Sequence, residues 1–204
     1  MNTAKNNQRK DGTDFMQRTI DKNFNKILVI FPGRNYSTDA PLLYYAKKIY
    51  AAKGYEILPL VYENPPKDST LTERIAYTKD NVMHILEHVD WSFYQNITFL
   101  SKSMGTVLAG EAAKKLKIPA RHIYLTPLKT TLAYITKDTD CVVFSGTNDA
   151  HIDANELSLH CRKNKIPCKQ YKGVGHSLEC GTEHKKTLQI LADIINFYEK
   201  DARR

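Results

Sequence analysis

The sequence predicts an α/β fold, in which a mostly parallel sheet of about six strands is covered by helices on both faces. Short runs of apolar and β-branched residues alternate along the chain with longer segments that have the periodicity of amphipathic helices. Several of these runs are apolar at every position, as strands buried on both faces are. The chain has 204 residues, enough for one domain with a buried core. Together these observations predict a minimal three-layer sandwich.

The first half of the chain contains two strands and two helices in alternation. Residues 1–25 are polar and lack an apolar period, so we expect a flexible leader before a domain over residues 26–204. A strand is predicted over 27–31, where a continuous apolar run ends at a Pro-Gly pair, and a second strand over 55–62. Helices are predicted over 39–53, with Asp39 as N-cap and Gly54 beyond the end, and over 69–89, with Ser69 or Thr70 as N-cap.

The second half repeats the alternation. Its predicted strands and helices are strands 96–100, 122–126, 141–145 and 167–171, and helices 104–116, 154–163 and 182–199, with a short helical piece over 128–135. In a parallel sheet of this kind, ligands bind at the carboxyl ends of the strands. Functional residues are therefore expected directly after the strands.

The composition excludes several classes of protein. The 30 Lys and Arg outnumber the 22 Asp and Glu, but they are scattered and not interleaved with aromatics, so we expect a basic surface and no nucleic-acid partner. The longest uncharged run, residues 91–101, is too short to span a membrane, and the polar start is unlike a signal peptide. These features predict a soluble, cytoplasmic protein. The four cysteines lack C-x-x-C spacing, so buried or inert thiols are favoured over a disulfide or zinc framework.

Ser103 is the candidate nucleophile. Residues 101–105 read Ser-Lys-Ser-Met-Gly where a predicted strand meets a predicted helix. A nucleophile elbow places its serine on a strained turn and needs small residues two positions before and after it, because strand and helix backbones crowd there. Ser101 and Gly105 meet this requirement, although the first position is usually glycine. The amide of Met104, at the helix start, is expected to point at a developing oxyanion.

A serine hydroxyl needs a base, and the base needs a carboxylate to orient it. His176 follows the last predicted strand in Gly-Val-Gly-His, and the glycines leave the loop free to bring the imidazole over the sheet. Asp149 follows the fifth strand in Gly-Thr-Asn-Asp. Asp153 is the rival carboxylate, but its place at the start of the next helix suits an N-cap. A second oxyanion donor is expected in the loop after the first strand, from the amide of Arg34 or, second, of Asn35.

Over residues 27–199 the chain resembles a small serine α/β-hydrolase, similar to compact esterases and dienelactone-hydrolase-like members. The resemblance rests on four motifs in order, Phe-Pro-Gly-Arg, Ser-Lys-Ser-Met-Gly, Gly-Thr-Asn-Asp and Gly-Val-Gly-His. It implies the order nucleophile, acid, base at Ser103, Asp149 and His176, and an acyl-enzyme mechanism on a small-molecule ester or thioester without metal or organic cofactor. About 15 residues separate the fourth and fifth predicted strands, which leaves no room for a large lid.

Other interpretations remain open from the sequence. A non-catalytic member of the fold would bind a ligand or a protein partner instead. The segment His84-Ile85-Leu86-Glu87-His88 spells H-x-x-E-H, a zinc-peptidase pattern, but its histidines lie largely off the apolar stripe of their helix and no third ligand is identified. Four further residues are candidates to line or neighbour the site: Tyr36, Tyr44, Tyr45 and Lys102. Packing of the tyrosines in the core and solvent exposure of the lysine agree with the sequence at least as well. A monomer is compatible with the sequence.

Overall fold

A computed structural model describes residues 24–62 and 68–204. The strands are β1 (Lys26–Phe31), β2 (Glu56–Pro59), β3 (Asn96–Lys102), β4 (Arg121–Leu125), β5 (Cys141–Gly146) and β6 (Cys168–Tyr171). The helices are α1 (Pro41–Ala52), α2 (Leu71–Glu87), α3 (Met104–Leu116), α4 (Ala154–Asn164) and α5 (His184–Asp201), with 3₁₀ turns at Trp91–Phe93 and Lys129–Tyr134. Most of the leader predicted over residues 1–25 lies outside the described residues, and the domain boundary stays a prediction.

The six strands form one sheet in the order β2-β1-β3-β4-β5-β6, and every neighbouring pair is parallel. The predicted fold class is confirmed. After β2 the chain crosses back over β1 and continues on the other side with β3, so the strand order reverses between β1 and β3. Ligands in open parallel sheets bind at such a reversal, beyond the carboxyl ends of the strands.

Alternate residues of the strands build the two halves of the core. Helices α1 and α5 cover one face, where Leu28, Ile30 and Leu125 pack against apolar residues such as Leu43 and Ile194. The opposite face packs against α2, α3 and α4. Because β1, β3, β4 and β5 are almost fully buried, they lack the alternation of a half-exposed strand, in line with the prediction.

Two predicted helix caps have different outcomes. Thr70 caps α2 in a capping box, since its side chain accepts from the amide of Glu73 and the Glu73 carboxylate accepts from the amide of Thr70. The prediction of Asp39 as the cap of α1 is wrong: Ala40 is the N-cap, and Asp39 forms an ion pair with Lys47 instead. Pro41 explains the later start, because its fixed φ angle suits the first helical position.

The connections of the sheet are short. About 15 residues join β4 to β5, and their only regular element is the short 3₁₀ turn, so they form no large lid, as predicted. Within residues 24–62 and 68–204, none of the helices has the length and apolar character needed to cross a bilayer.

Candidate active site

Ser103 lies on the sharp turn between β3 and α3, at the carboxyl edge of the sheet. Its backbone has φ 54° and ψ −121°, a conformation that is strained for a residue with a Cβ. The Ser103 amide donates to the carbonyl of Leu125, 3.0 Å away, which ties the turn to β4. The crowding expected of an elbow is present, because a Cβ on Gly105 would lie 2.3 Å from the carbonyl oxygen of Phe31. Ser101, on the other side of the turn, is fully buried.

The side chains of Ser103, His176 and Asp149 form an unbroken chain of hydrogen bonds. The Ser103 Oγ lies 2.7 Å from Nε2 of His176, and Nδ1 of His176 lies 2.8 Å from Oδ2 of Asp149. An ionised carboxylate can only accept, so Nδ1 carries the proton and donates to Asp149. Nε2 is then free to accept the proton of the serine hydroxyl.

The loops that carry Asp149 and His176 are fastened to each other. The amide of Asn148 donates to the carbonyl of Val174, 2.9 Å away, and the amide of Thr147 donates to that of Tyr171, 3.0 Å away. Their close approach requires glycine at the end of β5, because a Cβ on Gly146 would lie 2.0 Å from the Val174 carbonyl oxygen. Gly146 is a residue whose positioning role the sequence did not reveal.

The surroundings set the ionisation of the pair. Burial opposes the charge of Asp149, but hydrogen bonds from His176 and from the His151 amide outweigh it and hold the Asp149 pKa below its usual 3.8. Burial lowers the pKa of His176 below 6.5; the hydrogen bond to Asp149 opposes this shift, and the charge of Lys102 adds to it. At neutral pH the imidazole is therefore neutral beside an ionised carboxylate, which is the state that a general base needs.

The loop after β1 borders Ser103. A Cβ on Gly33 would lie 3.1 Å from the Cβ of Ser103, so this turn passes directly beside the serine. The turn is closed by the Tyr36 amide, which donates to the Gly33 carbonyl, and Asn35 takes a positive φ of 56° within it. Arg34 and Asn35 are both exposed, so the structure does not choose between them as donors. Met104 begins α3, where the first amides of a helix have no carbonyl partner within it.

Comparison with known proteins gives similarity in fold only. No family model and no curated protein sequence matches the chain. Among solved structures, Est1E from Butyrivibrio proteoclasticus with bound ferulic acid superposes with a TM-score of 0.62 at 14% identity, over 89% of this chain and 91% of that one. The esterase Pf2001 from Pyrococcus furiosus gives a TM-score of 0.58 at 14% identity, over 86% and 84% of the two chains. An α/β serine hydrolase homologue from Coxiella burnetii gives 0.58 at 12% identity, over 86% and 85%.

The chain has the α/β-hydrolase fold.

In this α/β-hydrolase fold, the residue before the serine is buried beside the site. Lys102 is only 2% exposed, and its Nζ donates to Thr126 Oγ1 and to the backbone carbonyl of His176. The sequence gives little sign of this burial, because a lysine beside a polar turn is ordinarily solvated. Of the two alternatives that the sequence left open for Lys102, the structure shows burial beside the site. The Tyr36 ring lies near the same ammonium, with its centroid 5.2 Å from Nζ.

The remaining candidates for the site have different surroundings. Tyr44 and Tyr45 are partly exposed on α1 and contact each other. His151, which the sequence did not single out for this role, places its ring 4.3 Å from that of His176, centroid to centroid. Asp153 is the N-cap of α4 and accepts from the amide of Glu156, as predicted for the rival carboxylate.

The H-x-x-E-H segment lies far from Ser103 within the α/β-hydrolase fold. It ends α2, next to the amino ends of the strands, and His84, Glu87 and His88 are exposed. The two histidine rings contact each other, and His88 Nδ1 lies 2.6 Å from the His84 carbonyl oxygen. In the described part of the chain, no group of three or more His, Cys, Asp or Glu residues is placed to hold a metal ion. The four cysteines are free thiols, with Cys141 and Cys161 buried.

A cavity of about 720 Å³ opens at the amino ends of the strands, opposite the serine. His122 and Tyr124 stack within its lining, and burial lowers the pKa of His122 to about 3. An imidazole with so low a pKa is a weak base, so His122 is poorly suited to activate the hydroxyl of Tyr124 as a nucleophile. The chemistry that the residues can perform is therefore at the carboxyl ends of the strands.

Proposed function

We propose that the protein is a serine hydrolase that cleaves carboxylic ester or thioester bonds through an acyl-enzyme. The observation that carries the proposal is the hydrogen-bonded chain from Ser103 Oγ through His176 to Asp149, with distances of 2.7 and 2.8 Å. The strained turn at Ser103 adds support, since strain of this kind concentrates at active sites.

In the proposed first half-reaction, His176 Nε2 removes the proton of the Ser103 hydroxyl while Oγ attacks the carbonyl carbon of the substrate. Charge then develops on the carbonyl oxygen, and its proposed donors are the amide of Met104 and an amide of the loop after β1, that of Arg34 or, second, of Asn35. The imidazolium gives its proton to the leaving oxygen or sulfur, and the acyl-enzyme remains. A water molecule, activated by the same nitrogen, then releases the acid.

Asp149 is assigned to orientation and charge stabilisation. Its carboxylate accepts from Nδ1 and so fixes the tautomer in which Nε2 is the base. We expect kcat of the Asp149→Asn variant to be about 10³- to 10⁴-fold lower than that of wild type, because the Asn amide can donate to Nδ1 and so favour the wrong tautomer of His176. Retention of wild-type turnover in this variant would remove Asp149 from the proposed mechanism.

The substrate class rests on two supports. One of the solved structures with this fold, Pf2001, is an esterase by name, and another, Est1E, holds bound ferulic acid. The short connection between β4 and β5 provides no large lid over the serine, which leaves the site open and disfavours a dedicated lipase. A series of p-nitrophenyl esters of increasing acyl length is the direct measurement of this preference.

The deciding experiment compares wild type with Ser103→Ala. Wild type is expected to react with a fluorophosphonate probe at Ser103 and to hydrolyse p-nitrophenyl acetate, whereas the variant should do neither and keep its far-ultraviolet circular dichroism. Folded wild-type protein that fails to react would favour a non-catalytic binding protein. Loss of activity in the presence of a chelator would favour the zinc interpretation.

A further inference from the structure

Lys102 connects three segments that meet at Ser103. It is the last residue of β3, and its side chain is almost completely buried. Its Nζ lies 2.5 Å from Oγ1 of Thr126, which follows β4, and 2.6 Å from the backbone carbonyl oxygen of His176. Both acceptors are neutral, so these contacts are charge-assisted hydrogen bonds and not an ion pair.

One end of this connection is rigid. Thr126 has a positive φ of 44°, and its amide donates to the Phe144 carbonyl, 2.7 Å away, so the residue is fixed by the neighbouring strand. The other end is the loop of His176, which follows β6 and in which Gly173 and Gly175 precede the histidine. The Asn148 amide holds the Val174 carbonyl two residues earlier in this loop, and Lys102 holds the carbonyl of His176 itself.

We propose that Lys102 is a positioning residue, which holds the His176 carbonyl against Thr126 and thereby keeps the imidazole in line between Ser103 and Asp149. The effect on catalysis rests on the proposed function. The effect of the contact between Lys102 and the His176 carbonyl on the orientation of the imidazole does not. Lys102 differs in this from Asp149, which contacts the ring directly.

The charge of Lys102 indicates that the residue does more than fill space in the core. Burial lowers the pKa of Lys102 to about 8, with the negative charges of Asp149 and Glu179 opposing the shift. The other groups that face the ammonium are the ring of Tyr36 and the neutral acceptors on Thr126 and His176. A methionine would fill a similar volume without desolvating a charge, but it could not hold a carbonyl oxygen.

The test uses Lys102→Met, with Lys115→Met on the exposed side of α3 as the control for loss of a positive charge. We expect kcat for p-nitrophenyl acetate to fall by about 10-fold or more in Lys102→Met, with KM within about 2-fold of wild type, because misplacing a catalytic group affects the chemical step. Wild-type kcat in the folded Lys102→Met variant would overturn the proposal.

A second measurement reports orientation without turnover. The Nδ1 proton of His176 is sheltered by its bond to Asp149, so it should give a slowly exchanging proton resonance in wild type and in Lys115→Met. We expect this resonance to be lost in Lys102→Met through faster exchange, and its persistence unchanged would overturn the proposal. If wild type neither hydrolyses esters nor reacts with the probe, the proposed function fails, while this resonance still decides the contact.

Thr126→Val keeps Lys102 and removes only the acceptor hydroxyl, so it decides the question if Lys102→Met does not fold. We expect kcat of Thr126→Val to be lower than that of wild type. The double variant, Lys102→Met with Thr126→Val, should be no slower than Lys102→Met alone, because both changes break the same connection. Wild-type kcat and an unchanged Nδ1 resonance in Thr126→Val would count against the proposal.

Discussion

Replacing Lys102 by methionine is expected to change how the stability of the protein depends on pH. Burial lowers the folded-state pKa of Lys102 from its ordinary 10.5 to about 8. Between these two values the unfolded chain binds the proton and the folded chain does not. The free energy of unfolding of wild type should therefore rise with pH through this interval, and the full cost of the buried charge is present below pH 8.

The size of the effect follows from the two pKa values. One pKa unit corresponds to about 1.4 kcal/mol, so the protonated side chain costs the folded state about 3 kcal/mol at neutral pH. Lys102→Met removes this cost at every pH, and it also leaves the Thr126 hydroxyl and the His176 carbonyl without their donor. Any difference in strength between the hydrogen bonds of the charged and of the neutral amine is already contained in the shifted pKa, so the pH dependence follows from the two pKa values alone. Wild type should thus gain about 2 to 3 kcal/mol relative to the variant between pH 7 and pH 10.

Urea unfolding of both proteins at pH 7 and pH 10, followed by circular dichroism, measures this gain. The variant serves as the reference for all other groups that titrate in the interval, and Lys115→Met controls for the loss of one lysine at the surface. A difference between wild type and Lys102→Met that is equal at the two pH values, within about 0.5 kcal/mol, would refute the reasoning that Lys102 is a buried charge.

Three further predictions follow from other contacts in the structure. Gly146→Ala should lower stability by about 1 to 3 kcal/mol and ester turnover by more than about 10-fold, because its Cβ would meet the Val174 carbonyl oxygen at 2.0 Å. The control is Gly175→Ala, whose Cβ would come no nearer than 3.9 Å to the Asn148 carbonyl oxygen, and this variant should unfold at nearly the wild-type urea concentration. The kcat/KM of wild type should rise with pH through the pKa of His176, which lies below its usual 6.5; a midpoint above pH 7 in wild type would contradict this assignment. Thr70→Ala should cost about 1 kcal/mol of stability in urea unfolding by breaking the capping box and leave turnover unchanged, and a loss of turnover would mean that α2 affects the site.

The order of the elements could be predicted from the sequence because the signals are local. A continuous apolar run such as residues 27–31 predicts a buried strand without reference to any other part of the chain. Boundaries were less accurate where two local signals compete, as at α1, where Pro41 determines the start and Asp39 binds Lys47 instead of the helix end. The strand predicted over 55–62 is confirmed only for Glu56–Pro59, which lies at the edge of the sheet and has one neighbour to pair with.

Residues that act across the sheet could not be predicted from their neighbours in sequence. Gly146 appears ordinary in the sequence, and its role is visible only when the loop containing Val174 is packed against it. Lys102 is a similar case, because its two acceptors come from segments 24 and 74 residues away. Spacing along the chain predicts which residues follow a strand, but not which backbone atoms of distant loops those residues meet.

The cost of burying Lys102 bears on the assignment of the site. A charge that destabilises the folded state by about 3 kcal/mol is a large fraction of the 5 to 15 kcal/mol that typically stabilises a domain. Buried charges with shifted pKa values concentrate at functional sites, where stability is given up for geometry. Here the strained turn at Ser103, the desolvated ammonium of Lys102 and the close approach at Gly146 all lie around one histidine. Each of these three features restricts the sequence or costs the folded state stability. A surface that only binds a partner has no need of them, whereas a site that must hold an imidazole in one position does.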